Sequence, residues 1–341
     1  MLPLSNTMTL PKTTPWTLRI FDALPGSPSA IGLSFAAVLL IVFFVVRTLF
    51  DGGTWSTAGD LRLALIHILL TAYTATAYAY LLSTTKKTAQ DLFSAVKHDP
   101  QWQAIADSVG THLRWGLILA AGLGVLIDVL VTDVTTVGSE PWVWSETNHD
   151  ARWMRILGPF FSAWMSCLIY VLLVESARLS RLSDSIRSLE LLDLEPYKPL
   201  VRQGLTNALL VVGMTSVLSL FLLEPGFIPL LIRTTITFAV IAWIGLMLPL
   251  RGIRKKIRMA KEKEQAWCRQ ALISARNQLK SGTSGQQPIA EIIAYQSMIE
   301  SIRNWPFDNP TLTRFALYLL IPLGSMFGGA LVERGLELFL F

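Results

Sequence analysis

Residues 31–50 read IGLSFAAVLLIVFFVVRTLF, twenty positions whose only charge is Arg47, close to the far end. A helix needs about 20 mostly apolar residues to cross roughly 30 Å of hydrocarbon. This stretch meets that length and has no polar face of the kind that turns a soluble helix toward water. Six further stretches share its character: Leu63–Leu82, Trp115–Val134, Ile156–Val174, Leu205–Leu223, Phe227–Leu250 and Leu312–Val332. The reading is an all-α, polytopic helical membrane protein with about seven transmembrane helices and helical extensions outside the bilayer.

Composition points the same way. The 341 residues are 52% hydrophobic and 16% charged, with a mean hydropathy of +0.48. A soluble domain carries about a quarter charged residues, so charge is excluded from much of this chain. The net charge is +5. In a soluble protein that excess suggests nucleic acid. Here the basic residues gather between the apolar stretches and no nucleic-acid motif accompanies them, so the predicted partner is membrane lipid. Two cysteines, Cys167 in an apolar stretch and Cys268 in a basic one, give no disulfide framework. About thirty mostly polar residues precede the first apolar run and no small-residue cleavage site follows it, unlike a secretory signal.

Basic residues fix the predicted orientation. Lys86, Lys87, Lys97, Arg178, Arg181, Arg187 and the run Arg251 through Lys263 fall on one side. Asp51, Asp133, Glu140 and Glu146 fall on the other, with Trp142, Trp144 and Trp153 at that interface. The chain therefore divides into a cytoplasmic segment 1–30, a six-helix membrane part 31–250, a cytoplasmic helical hairpin 251–311 and a last transmembrane or re-entrant helix 312–341. Pro322, Gly324, Gly328 and Gly329 interrupt that last helix. Glu175–Gln203 reads as a charged continuation of the fourth span, ended by Pro196 and Pro199. In the hairpin, Arg251–Lys280 is expected to be helical. The flexible run Ser281-Gly282-Thr283-Ser284-Gly285 follows, and then a helix with Ile289, Ile292, Ile293, Ile299 and Ile302 on one face.

Leu189-Glu190-Leu191-Leu192-Asp193-Leu194-Glu195-Pro196, running on to Arg202-Gln203-Gly204-Leu205, is one of two distinctive segments. The other is Trp305-Pro306-Phe307-Asp308 with Arg314-Phe315-Ala316-Leu317-Tyr318. Together they resemble a family of uncharacterised bacterial multi-span inner-membrane proteins. The resemblance implies a bacterial inner membrane and brings no functional residues with it.

Ionisable groups within spans are the strongest functional pointers. At about 1.5 Å per residue, Asp128 and Arg233 each lie about 9 Å below the outer ends of their spans. His67 falls near the same depth and Arg47 slightly shallower. These four form a candidate polar layer. Gly116, Ala120, Gly124 and Asp128 share one face of the third span, so a neighbouring helix should come close there. Pairing of Asp128 with Arg233 is the expectation, because an unpaired charge in hydrocarbon is costly. Packing explains such a layer as well as function does: the arginines have stems long enough to snorkel. Thr71, Tyr73, Thr74, Thr76 and Tyr78 in the second span, with Thr234, Thr235 and Thr237 in the sixth, either line a pathway or bond between helices.

No P-loop, dinucleotide fingerprint, zinc-protease helix or nucleophile elbow occurs. No cofactor or metal is expected. The predicted function is a non-enzymatic sensor or scaffold component, with a protein partner or self-association through the hairpin. The other reading is an ion channel or small-solute transporter with a polar outer vestibule.

Overall fold

The computed structural model describes residues 26–50, 58–95, 105–136, 149–186, 189–220, 228–280, 289–303, 313 and 315–317. Every long element among them is a helix. The membrane part holds α1 (Pro28–Phe50), α2 (Ala58–Ala95), α3 (Arg114–Thr136), α4 (His149–Asp184), α5 (Lys198–Leu218) and α6 (Ile228–Met247). The extension holds α7 (Arg251–Lys280) and α8 (Ile289–Ser301).

Two long helices form the centre. α2 packs against α1, α4 and α5, while α4 packs against α3, α2, α6 and α7. Leu81, Leu82, Leu168 and Leu172 are almost wholly enclosed between them. The peripheral helices show the opposite pattern. Leu33, Ile41 and Leu49 of α1, Leu119, Leu126 and Leu130 of α3, and Ile236 and Val240 of α6 are all exposed. An apolar outer surface of this extent is unfavourable in water and natural in hydrocarbon.

By length and composition, three helices among the described residues can cross a membrane: Pro28–Leu49, Ala64–Leu92 and Ile156–Asp184. The pair Ile232–Met247 and Arg251–Lys280, bent by 48°, makes a fourth if counted as one span. This corrects the expectation of seven, and each shortfall has a reason. α5 begins at Lys198 and carries Arg202, Gln203 and Asn207 in its first half, which dilutes its apolar run. The side chains of α6 are described only from Ile232, and those of α3 only as far as Leu130. Of the stretch Leu312–Val332, only 313 and 315–317 are described. The expected interfacial Trp142 and Trp144, the Glu224-Pro225-Gly226 turn and the Ser281–Gly285 break lie outside the described residues.

The extension of the fourth span also differs. α4 ends at Asp184, well before the prolines. Residues 189–194 lie outside any helix and lead into a 3₁₀ turn, Glu195–Tyr197. Pro196 lies in that turn and Pro199 in the first turn of α5. Proline fits a first turn, whose N–H groups have no partner within the helix, so both residues begin elements rather than end one.

The small face of α3 meets α4. A Cβ on Gly124 would strike the Ser162 carbonyl and lie 2.6 Å from Ser166 Oγ, and one on Gly116 would strike the Tyr170 hydroxyl. Gly122, two positions from Gly124, has open space around it. Gly124→Leu should therefore lower stability in detergent by about 1–3 kcal/mol, the usual cost of overpacking. Gly122→Leu should stay within about 0.5 kcal/mol of the parent, as at a surface site. Thermal unfolding of the two variants side by side checks this, and equal losses would contradict the α3–α4 contact.

Candidate functional site

A buried polar layer joins four helices. Gln203 on α5 is its hub. Its Oε1 accepts from Thr88 Oγ1 at 3.1 Å, and its Nε2 donates to Thr85 Oγ1 at 3.1 Å and to Asn207 Oδ1 at 2.8 Å. Asn207 lies one turn further along the same face. Its Nδ2 donates to Ser176 Oγ of α4 at 3.0 Å and to the Gly245 carbonyl of α6 at 3.4 Å. The Gly245 carbonyl is available because Pro249, four residues on, has no N–H to give it. Thr85, Thr88, Ser176, Gln203 and Asn207 are all buried. Buried polar groups satisfied in this way fix the mutual positions of helices.

One residue from Ser176, Glu175 organises a second cluster. Its Oε1 accepts from Arg178 Nη1 at 2.6 Å and from the Gly110 backbone N–H at 3.0 Å, and lies 2.9 Å from His112 Nε2. The imidazole contact is close but does not form a hydrogen bond. Gly110 reaches the carboxylate from a left-handed backbone, φ +79°, and the Lys86 stem occupies the space where a Cβ would project. The His112 ring meets Tyr170 edge-on at 6.2 Å. Glu175 and His112 are both about 1% exposed. The cluster clamps the segment leading into α3 onto α4. His112 Nδ1 and Glu175 Oε2 remain without partners among the described residues. Two groups beside an arginine are a poor metal set, and no group of three metal-ligating residues occurs among the described residues.

The four residues expected to form a polar layer are spread over different contacts. Asp128 accepts from Ser162 Oγ at 2.8 Å and faces Gly158 of α4. Arg233 is exposed on α6. Asp128 and Arg233 form no ion pair, which corrects the expected pairing. The helix admitted by the small face of α3 is α4, and a serine hydroxyl meets the carboxylate. Arg47 is buried, with its guanidinium 5.8 Å from the centre of the Phe43 ring. His67 is half-buried on α2. Thr71, Thr74 and Thr76 bond carbonyls of their own helix four residues back, and Thr237 does the same on α6. Those hydroxyls are already committed.

The hairpin seam is a third cluster. α7 and α8 run antiparallel: Lys261 Nζ donates to the Glu300 and Ile302 carbonyls, while Tyr295 donates to Glu264 Oε2 at 3.2 Å and stacks edge-on against Trp267. Cys268 and Ile299 are fully enclosed in the seam. Burial, with Glu264 nearby, pushes the Cys268 thiol and the Tyr295 hydroxyl above their ordinary values. The first turn of α7 is fixed to the bundle, since Gly252 lies against the Ser180 carbonyl and Ser183 of α4.

No known protein family, curated protein or solved structure matches this chain. The resemblance carried by Leu189–Pro196 and Trp305–Tyr318 therefore stands no further than a helical protein with three or four candidate membrane spans.

Glu175, His112, Gln203 and Asn207 are the residues that sequence reasoning passed over. The available signal was the Gln203–Asn207 spacing of four, which places two amides on one face of an otherwise apolar helix.

Two outcomes follow. Glu175→Ala leaves Arg178 and the Gly110 N–H without their acceptor, and should cost about 3 kcal/mol. Glu175→Gln, which keeps one acceptor oxygen, should cost less. Thermal unfolding in detergent ranks them, and no loss in either would remove Glu175 as the organiser of the cluster. In a Cys167→Ser background, Cys268 should react slowly with maleimide at pH 7, being both enclosed and protonated. Ile299→Ala should speed the reaction by opening the seam. Fast labelling of the parent would contradict the seam.

Proposed function

We propose that this chain is a non-enzymatic membrane component, a helical bundle in the bacterial inner membrane that holds out the α7–α8 hairpin on the cytoplasmic side for a protein partner or a second copy. The observation that carries the reading is mechanical. α7 packs on the end of α4 at Gly252 instead of hanging from a loose tether, so a change in bundle packing is transmitted to the hairpin.

The hairpin surface supports an interaction role. Trp267, Ile273 and Leu279 on α7, and Ile293 and Met298 on α8, are large apolar side chains that remain exposed. On this reading they stand outside the hydrocarbon, beyond the charged first turns of α7. Charge supports the orientation, because Arg251, Arg254, Lys255, Lys256 and Arg258 cluster in the first two turns and basic segments favour the cytoplasmic side.

The transport reading rests on one observation, the carboxylate of Asp128 on α3. Thr71 and Thr74 of α2 bond their own helix, and Thr85 and Thr88 are taken up by the Gln203–Asn207 layer, which favours packing over a pathway. Flux in reconstituted vesicles that changes in Asp128→Asn would reverse this preference.

The test is site-specific photo-crosslinking in native membranes. A photoreactive residue at Ile293 should give a discrete adduct, whose mass identifies a partner or a second copy. The same residue at Ala266, exposed on α7 and flanked one turn away by Glu262, Lys263, Arg269 and Gln270, should give none. Equal yields at both positions, or none at Ile293, would sink the proposal.

A further inference from the structure

A cleft of about 540 Å³ lies between the α4–α5 connection and the α7–α8 hairpin. Its floor is apolar, with Ile186, Leu191 and Ile299 buried, and Met259 and Leu192 stand exposed at its mouth. Four charges border it: Lys256 and Lys263 from α7, Glu264 beside them, and Glu190 from the connection. The lysines are seven residues apart, two turns of one face, about 10 Å along the helix.

Their neighbours are committed, and they are not. Lys261 is held by the Glu300 and Ile302 carbonyls and Arg258 by Glu262. Lys256 and Lys263 have no carboxylate partner among the described residues. Glu264 is held in place by the Tyr295 hydroxyl on Oε2, which leaves Oε1 able to accept from another donor. The exposed Glu190 faces the cleft from the opposite wall.

We infer that this cleft binds an aminophospholipid, taking the phosphate on Lys256 and Lys263, the primary ammonium on Glu190 and Glu264, and the start of the acyl chains on the apolar floor. The inference rests on the bilayer reading given above. Position favours a lipid over a soluble ligand. The twenty residues of α6 cover about 30 Å, the thickness of the hydrocarbon core. Lys256 stands only about 8 Å along α7 from its first residue, and the 48° bend lays α7 oblique to α6. That turn therefore stays near the headgroup layer, which adds about 5–8 Å on each side of the core. Charge selects the headgroup. A purely anionic lipid satisfies the lysines but meets two carboxylates. A choline headgroup has the right charges but no N–H to donate. A primary ammonium beside a phosphate matches both pairs, and the volume is that of an ordinary small-molecule site.

The experiment uses the full chain in nanodiscs and purified from detergent, with bound lipid read by native mass spectrometry. Phosphatidylethanolamine, phosphatidylcholine and phosphatidylglycerol of identical acyl chains compete. The ethanolamine lipid should be retained about tenfold over the choline lipid. Lys256→Gln with Lys263→Gln, which removes the phosphate ligands, should abolish retention of the ethanolamine lipid. Arg269→Gln with Arg276→Gln, an equal charge loss on α7 away from the cleft, should keep it. Glu190→Lys, at an exposed position, should shift preference to the glycerol lipid. Equal retention of the ethanolamine and choline lipids, or stronger retention of the glycerol lipid by the parent chain, would overturn the site. So would displacement of the lipid by soluble glycerophosphoethanolamine at equal concentration. Extraction of native membranes with alkaline carbonate separates the two levels. A chain released by carbonate refutes the bilayer reading itself, and a chain retained yet indifferent to headgroup refutes this site alone.

Discussion

The arrangement turns on a missing N–H. Pro249 cannot close the helical bond to the Gly245 carbonyl, and in an apolar surrounding an unpartnered carbonyl is costly. Asn207 supplies the donor from a neighbouring helix. That one substitution of partners has three results. The chain bends between α6 and α7, which sends α7 away from the axis of the apolar helix. It ties α5 to α6 at the bend. It also commits Asn207 and Gln203 to buried positions, where they draw in Ser176, Thr85 and Thr88 and lock α2 and α4 into the same layer. Close packing completes the bend, with Gly204 of α5 admitting the Leu246 backbone and Gly252 admitting the end of α4.

The parts of this architecture legible in the sequence are those governed by local pattern. The apolar run 31–50 is a helix with an exposed apolar surface because nothing in it demands water. Gly116, Ala120 and Gly124 share a face because helical geometry puts them there, and that face is the one packed. The isoleucine spacing after 288 yields a helix whose Ile292 and Ile299 are buried, while Ile293, expected on the same face, is exposed. What pattern could not supply was the identity of neighbours. Asp128 was matched to Arg233 by depth, and depth does not say which helix is the neighbour. The helix that follows in the chain, α4, packs there and presents Ser162 and Gly158.

The buried polar layer was hidden for a related reason. Glu175 and Gln203 lie where the apolar runs give way to charge, so composition assigns both to a solvated extension. Helices α2 and α4 continue past that boundary and pack against each other, which carries Thr85, Thr88, Glu175 and Ser176 into the interior. The span count was overestimated by the converse effect: α5 holds enough leucine and valine to read as a crossing, while the amides that secure it to its neighbours lower its apolar character below that of α1 or α4.

The Gly110–Glu175 hydrogen bond closes a loop of 65 residues, and synthesis from the N-terminus gives that loop a direction in time. Gly110 and His112 leave the ribosome with no acceptor in existence. All of α3 and most of α4 must be made before the carboxylate can arrive. Until then this turn is fastened by elements already synthesised, among them the Lys86 stem over Gly110. The entry of α3 is thus set provisionally by the helix before it and made permanent by the helix after it, an order of assembly written into which partner comes later in the chain.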